Sequence, residues 1–303
     1  MTTLQLWHAL RNPRNVQHPL FKRIHDMPRR QVRLNLRVLI GGSIIAGMLL
    51  VCGLTYVVPP QLIRFYAALP IALPLLYIAV VFGGTGRGVT LAGRISPVIA
   101  AEHKNGTFET IAATREGKIG VYWTIINACV HRDANLEDTN LLQIRVTGVM
   151  AALVTFFLLI FYLNAWSRMA QDVFWMLPFV LYPLVAIYYI DYITSIVTGV
   201  LVAAVAAAQL QRPLQAQITA IIVFLLVQAI TYLLTYVLAV GAVPALFAQI
   251  EFTGMVTRLS MAGIAVVLYF GLREGINWLL WRVLAWRLQA APAELDSITQ
   301  HPA

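Results

Sequence analysis

The sequence predicts an all-α integral membrane protein with six transmembrane helices in a single transmembrane domain. Of its 303 residues, 59% are hydrophobic and only 12% are charged, whereas a soluble domain carries about 25% charged residues. Apolar runs of about 20 residues, the length that crosses a bilayer, recur along the chain. Basic residues outnumber acidic ones by 22 to 13 and gather between these runs. This composition excludes a soluble enzyme, a disordered chain and a disulfide scaffold.

Six apolar segments are candidates for the spans. They lie at about 38–58, 65–82, 146–166, 173–210, 218–240 and 259–272, and the last can continue through 277–284. The polar segment 83–145 separates the second span from the third. Two cysteines, Cys52 and Cys129, are interpreted as reduced thiols, the second in a polar loop region. The N-terminus lacks the apolar core and cleavage site of a secretory signal peptide.

The tract 173–210 is too long for one straight crossing. It is either two spans that turn at Asp191, or one long broken helix with a partly re-entrant outer piece. A single crossing puts 19 basic residues on one side: eight before the first span, seven in 83–145, Arg212, and three after the sixth span. Only three then lie on the other side. The positive-inside rule therefore favours six spans with both termini cytoplasmic, in a bacterial or archaeal cell membrane.

The chain is accordingly divided along its length. The predicted parts are a cytoplasmic elbow (1–37), spans one and two (38–82), a cytoplasmic loop (83–145), spans three and four (146–210), spans five and six with a cytoplasmic end helix (211–287), and a cytoplasmic tail (288–303).

A short amphipathic helix is predicted before the first span. Leu20, Phe21, Ile24 and Met27 share one face, and the charged residues among them point away. Pro19 suits the first turn of a helix. The pattern predicts a helix in the cytoplasmic headgroup layer, which is either an elbow that anchors the first span or an ordinary basic juxtamembrane anchor.

Two short helices with a break are predicted in the loop 83–145. The first would be opened by Pro97 and end near Lys104, with Asn105-Gly106 as its left-handed exit. Thr107 would cap the second, and Glu109 in its first turn suits the helix dipole. Phe108, Ile111 and Ala112 would share one face. Such an element either docks a partner and transmits its movement, or simply packs on its own bundle.

These residues carry a resemblance to a known family. The segment 99–114 resembles the cytoplasmic signature of the ABC type-2 permeases, the membrane subunits of ABC exporters. The matching residues are Glu102, Gly106, Thr107, Phe108, Glu109, Ile111, Ala113 and Thr114. The stretch from His18 to Arg30 is similar to the family's opening. The sequence departs from the family at His103-Lys104 and at Arg115, where Arg-Glu and Pro are usual.

The resemblance implies a permease that works with a separate cytoplasmic ABC ATPase, as a homodimer or with a paired permease. It implies that Glu102, Gly106, Thr107, Phe108, Glu109 and Ile111 couple this chain to the ATPase, which holds the ATP and Mg. This chain itself is expected to be no enzyme and to need no cofactor. The rival prediction is a structural or assembly subunit of a larger membrane complex that keeps the fold without transport.

An ATP site is not visible in the sequence. The stretch 83–88 is rich in glycine but lacks the Lys-Ser/Thr ending of a phosphate-binding loop, and it is interpreted as a flexible exit from the second span. The six histidines show no metal-ligand spacing. Nucleic acid is not an expected partner, because the basic, tryptophan-rich end from Arg273 to Arg287 is typical of an interfacial helix.

Asp191 is the one acidic residue well inside an apolar tract. A charge in the bilayer must face protein or water and usually marks function. Two interpretations stay open: a residue of the translocation path or of a proton relay, or a cap at a helix break, bonded to a neighbouring tyrosine or a backbone amide.

Overall fold

The computed structural model describes residues 2–11, 16–26, 84–112, 117–132, 171–249 and 255–290. In these ranges every regular element is a helix, as predicted. The α-helices are α1 (Thr3–Arg11), α2 (Pro19–His25), α3 (Gly86–Lys104), α4 (Thr107–Ala112), α5 (Gly117–Arg132), α6 (Gln171–Gln209), α7 (Pro213–Val237), α8 (Val243–Gln249) and α9 (Met255–Leu288). A π-helical turn, Leu238–Ala242, joins α7 to α8. The predicted spans 38–58, 65–82 and 146–166 lie outside the described residues.

Among the described helices, two are long and apolar enough to cross a membrane: Tyr189–Gln209 of α6, and α7. The first is mostly buried inside the protein, whereas α7 leaves most of its surface uncovered. Large apolar side chains such as Ile222, Leu226 and Leu233 are exposed along α7. An apolar surface of this length suits contact with lipid rather than water. A total of six spans stays a prediction.

The long apolar tract forms one continuous helix. α6 has 39 residues, which corresponds to about 58 Å at 1.5 Å per residue. It passes through Asp191 without ending, so the predicted alternatives that turn or break the chain at Asp191 are wrong. α9 is also continuous, so one helix covers both 259–272 and 277–284; that this helix is a sixth span stays a prediction.

Helix α3 lies alongside the second half of α6, and glycines allow the close contact. A Cβ atom added to Gly199 of α6 would lie 2.5 Å from the backbone oxygen of Gly88 in α3. A Cβ on Gly88 would lie 2.3 Å from the Phe224 ring of α7. Small residues let helix backbones approach in this way, and the dispersion contacts of the backbones then stabilise the pair.

The described part of the predicted polar loop 83–145 is almost entirely helical. Gly84 and Thr85 are already helical, and α3 begins at Gly86, well before Pro97, which lies inside it. The glycine-rich stretch is part of a packed helix, so its interpretation as a flexible exit is wrong. α5 is the third helix in this region, and it is buried continuously from Val121 to Val130. Cys129 thus lies in a buried helix and not in a polar loop.

The N-terminal region packs against the bundle. α2 forms where predicted, with Pro19 in its first turn and the His18 ring accepting a hydrogen bond from the Leu20 amide. Its apolar residues Leu20, Phe21 and Ile24 are buried in the protein core and pack mainly on α5. They are thus covered by protein, whereas the sequence predicted a helix facing lipid headgroups. α1 was not predicted, and it buries Leu6, Trp7 and Leu10.

Candidate coupling segment and buried polar network

The break between α3 and α4 has the geometry that the sequence predicts. α3 ends at Lys104, and Gly106 adopts φ of +71°. A left-handed conformation costs an ordinary L-residue about 1–2 kcal/mol, but glycine has no Cβ to clash. Asn105, Gly106, Glu109 and Thr110 are exposed. We call residues 102–112 the coupling segment, because it contains all six predicted coupling residues.

Glu102 of α3 makes contacts with both α2 and α4. Its carboxylate is buried and forms an ion pair with Arg23 of α2. The Thr107 hydroxyl donates to the same carboxylate and also reaches the Glu102 main-chain oxygen at 3.2 Å. Thr107 is the first residue of α4, and its hydroxyl points back to α3. The predicted cap of α4 by Thr107 is therefore replaced by a link from α4 to the end of α3.

The inner face of α4 is anchored by an aromatic cluster. Phe108 is only 1% exposed. Its ring centroid lies 4.0 Å from that of His103 and 5.1 Å from that of Tyr122 in α5. The His103 Nε2 atom is 2.7 Å from the Tyr122 hydroxyl. Ile111 and Ala112 are partly buried against the same core, so the predicted shared face of Phe108, Ile111 and Ala112 is confirmed.

Acid is expected to weaken this cluster. Burial lowers the pKa of His103, Lys118 lowers it further, and Glu109 partly offsets both. Because the folded protein resists a proton that the unfolded chain accepts, the free energy of unfolding should fall as the pH drops below about 6.5. Burial raises the pKa of the Tyr122 phenol, which therefore stays protonated throughout this pH range. Unfolding between pH 7.5 and 5 should show less of this slope in His103→Gln, while the exposed His25→Gln control should keep it.

A network of polar side chains is buried where α3, α6, α7 and α9 meet. Asp191 of α6 is 0% exposed and Arg273 of α9 is 1% exposed, and the two form an ion pair. The hydroxyl of Tyr232 in α7 lies 3.1 Å from each carboxylate oxygen of Asp191, and the Tyr269 hydroxyl of α9 also donates to it. Asp191 is thus bonded to tyrosines of two other helices, α7 and α9.

Arg273 does not lie where the sequence predicted it. It was counted among the cytoplasmic charges that follow the sixth span, yet it is the buried partner of Asp191. Its guanidinium lies 5.1 Å from the ring centroid of Tyr232 and 5.4 Å from that of Tyr269, within cation–π range. It also donates to the Gln228 amide oxygen. The pair is neutral overall, which removes much of the cost of burying two charges.

Gln228 extends the network to α3 and α6. Its amide nitrogen lies 2.7 Å from the Ser195 hydroxyl and 2.9 Å from the Thr85 hydroxyl. Gly84 lies beside Thr85, and a Cβ there would be 2.7 Å from an Asp191 carboxylate oxygen. We call Thr85, Asp191, Ser195, Gln228, Tyr232, Tyr269 and Arg273 the polar network.

A second hydrogen-bonded chain lies further along the same helices. The Thr198 hydroxyl donates to the Asn277 side chain at 2.7 Å, and the Asn277 amide donates to the Thr3 hydroxyl at 2.9 Å. The Thr3 backbone amide donates to Glu274 at 2.8 Å. The start of α1 is thereby fixed between α6 and α9, deep in the bundle, in a region that was predicted to be part of a cytoplasmic elbow.

One helix joins the coupling segment to the polar network. Thr85 belongs to the network, and Glu102 lies about 26 Å further along the same helix. α3 packs against α6 and α7 over this length. The coupling segment and the polar network are therefore connected by one continuous helix. Among the described residues, no group of three or more His, Cys, Asp or Glu side chains is placed to hold a metal ion.

Comparison with known proteins adds no relative: no family model, no curated protein and no solved structure matches the chain.

Proposed function

We propose that this chain is the membrane permease subunit of an ATP-driven exporter of the ABC type-2 kind. In this proposal the coupling segment seats in a cleft of a separate cytoplasmic ATPase, which holds ATP and Mg. A second permease, identical or paired, completes the transporter. Neither terminus lies outside the cell in this arrangement.

The observation that carries the proposal is the two-sided construction of the coupling segment. Its outer side, with Gly106 and Glu109, is exposed and free to meet a partner. Its inner side is fixed by Phe108 and by the Thr107–Glu102 contact. A loop that only connects two spans has no need of a buried carboxylate shared by three helices. A segment that receives a push needs such a rigid attachment, since a flexible one would absorb the movement.

Asp191 takes a gating role in this proposal. Its carboxylate is fully buried, so it does not line an open path in this conformation. The polar network instead holds four helices together through one neutral ion pair. Movement of α3 would shift Thr85 against Gln228 and Ser195, and so bias the helix contacts around Asp191. Discrete rearrangement of packed helices is how small displacements at one site change another.

Co-purification and ATPase turnover test the proposal. The full chain, isolated with its natural partners, should bring down an ATPase with a phosphate-binding loop motif. Glu109→Lys should lower transporter-dependent ATP turnover by about tenfold, because it reverses a charge at the proposed interface, at a cost of about 1.4 kcal/mol. Asp26→Lys is the control, as it makes the same reversal at an exposed position next to the end of α2.

Two results would contradict the proposal. A stable complex that contains no ATPase would favour the structural or assembly subunit. Equal ATP turnover in the Glu109 and Asp26 variants would show that the coupling segment does not contact the ATPase, even if an ATPase is present.

A further inference from the structure

The C-terminal end of α9 carries two exposed arginines, Arg282 and Arg287. The buried side of this helix holds Asn277, Trp281, Leu284 and Leu288. Arg282 and Arg287 lie outside this buried stripe and are exposed. Neither has a carboxylate within ion-pair distance in the described part of the chain. Within the described residues, two cations without an acidic partner therefore line the same helix end.

Aromatic side chains hold both guanidinium groups in place. Arg282 lies over the Trp278 ring at 4.7 Å from its centroid, and Arg287 lies over the Trp286 ring at 4.9 Å. Trp278 and Trp286 are themselves 45% and 70% exposed. A guanidinium stacked on one face of a ring keeps its N–H edge free to donate. The arrangement presents an ordered, positively charged edge beside a large apolar surface.

A cavity of about 600 Å³ lies at this end of the helix. Its lining residues are Arg282, Ala285, Trp286, Arg287, Gln289 and Ala290. The chain turns there, since Gln289 has φ of 51° and the Ala290 amide bonds back to the Ala285 oxygen at 3.1 Å. The helix end contributes about half a negative charge, which the two full positive charges outweigh. The cavity is therefore suited to an anion.

The position of this cavity relative to the ends of the candidate spans indicates which kind of anion it meets. Asn277 of α9 contacts Thr198 of α6, and the two helices run in the same direction. Counting equally far along both helices from this contact, Leu288 of α9 lies level with Gln209 of α6. The candidate span of α6 ends at Gln209. α7 begins its span four residues later, at Pro213. The cavity thus lies at the depth of lipid headgroups, where tryptophan and arginine are favoured.

We propose that Arg282 and Arg287 bind the phosphate of an anionic phospholipid, with Trp278 and Leu279 against its acyl chains. Leu279, the next residue after Trp278 in α9, is 56% exposed. Both arginines line the cavity, and a guanidinium forms strong charge-assisted hydrogen bonds to phosphate oxygens. This site is independent of any ATPase, so it stands or falls separately from the transport function.

Native mass spectrometry of the purified full chain tests the site. The protein is mixed with equal amounts of dioleoyl phosphatidylglycerol and dioleoyl phosphatidylcholine, and the retained lipids are counted. Each interfacial arginine should contribute about a fivefold preference for the anionic lipid. R282Q/R287Q should therefore lose most of the preference for the first bound lipid, while R11Q, an exposed arginine at the end of α1, should keep it.

Two further outcomes decide the proposal. If the double variant keeps the full preference for phosphatidylglycerol, the site is not at these arginines and the proposal fails. If inorganic phosphate at equal concentration displaces the lipid completely, the cavity binds a soluble anion and the lipid assignment fails. Unchanged melting temperatures of R282Q/R287Q and R11Q exclude misfolding as the cause of any loss, because both sites are exposed.

Discussion

Asp191→Ala is expected to lower the free energy of unfolding by about 3–5 kcal/mol, the cost of removing one member of a buried ion pair. Arg273 would be left as a buried cation, and Tyr232 and Tyr269 would lose their acceptor. The measurement is equilibrium unfolding of the purified protein in detergent, with the melting temperature as a second readout. Yield of monodisperse protein should fall in parallel.

Removing both charges tests whether the loss of stability comes from leaving one buried charge without its partner. Asp191→Asn combined with Arg273→Gln leaves polar side chains of similar size without an uncompensated charge. A buried ion pair and its neutral replacement often differ little in stability. The double variant should therefore be more stable than Asp191→Ala or Arg273→Gln alone. Additive losses in the double variant would show that the two side chains do not act as a pair.

Gly199→Ala is expected to destabilise the protein by about 1–3 kcal/mol through overpacking. The added Cβ would lie 2.5 Å from the Gly88 oxygen and 2.8 Å from the Gly88 Cα. These are backbone atoms, so no side chain can rotate away and α3 must move off α6. The same unfolding measurement applies. In a coupled transporter, the variant should also lower turnover, because the contact between α3 and α6 is lengthened.

Gly275→Ala is the matched control for this prediction. Gly275 is also inside a long helix, but nothing lies within 4 Å of the position that an added Cβ would take. Alanine is favoured over glycine in a helix by about 0.5–1 kcal/mol, so this variant should be neutral or more stable. Equal effects at Gly199 and Gly275 would contradict the close crossing of α3 and α6.

Local features were the ones that the sequence could predict. The amphipathic spacing of Leu20, Phe21 and Ile24 identified α2, because a helix repeats its face every three to four residues. Asn105-Gly106 identified the break after α3, since glycine tolerates positive φ. Both signals depend on residues close together in the chain, and both are confirmed.

Features that depend on distant residues were missed. Nothing in the spacing links Asp191 to Arg273, which lie 82 positions apart. Arg273 stands next to Glu274 and near several tryptophans, so its surroundings are typical of an interfacial helix. The one available signal was that Asp191, in an apolar tract, required a cation somewhere in the bundle. Its four-helix setting depends on tertiary packing.

The glycines at 84–88 were misread for a related reason. Glycine is typical both of flexible loops and of tightly packed helix crossings, and composition does not separate the two. The packing partner of Gly88 is Gly199, far along the chain. α5 was likewise predicted to be part of a polar loop. Its apolar segment is short, and charged residues lie before and after it in the sequence.

Site-specific crosslinking at the coupling segment tests the central claim most directly. A photo-crosslinking amino acid replaces Thr110, which is exposed on α4, or Val267, which is 69% exposed on α9. The captured protein is identified by peptide mass spectrometry. We expect an ATPase with a phosphate-binding loop at position 110 and none at position 267. No ATPase at position 110, or equal capture at both positions, would contradict the coupling role of this segment.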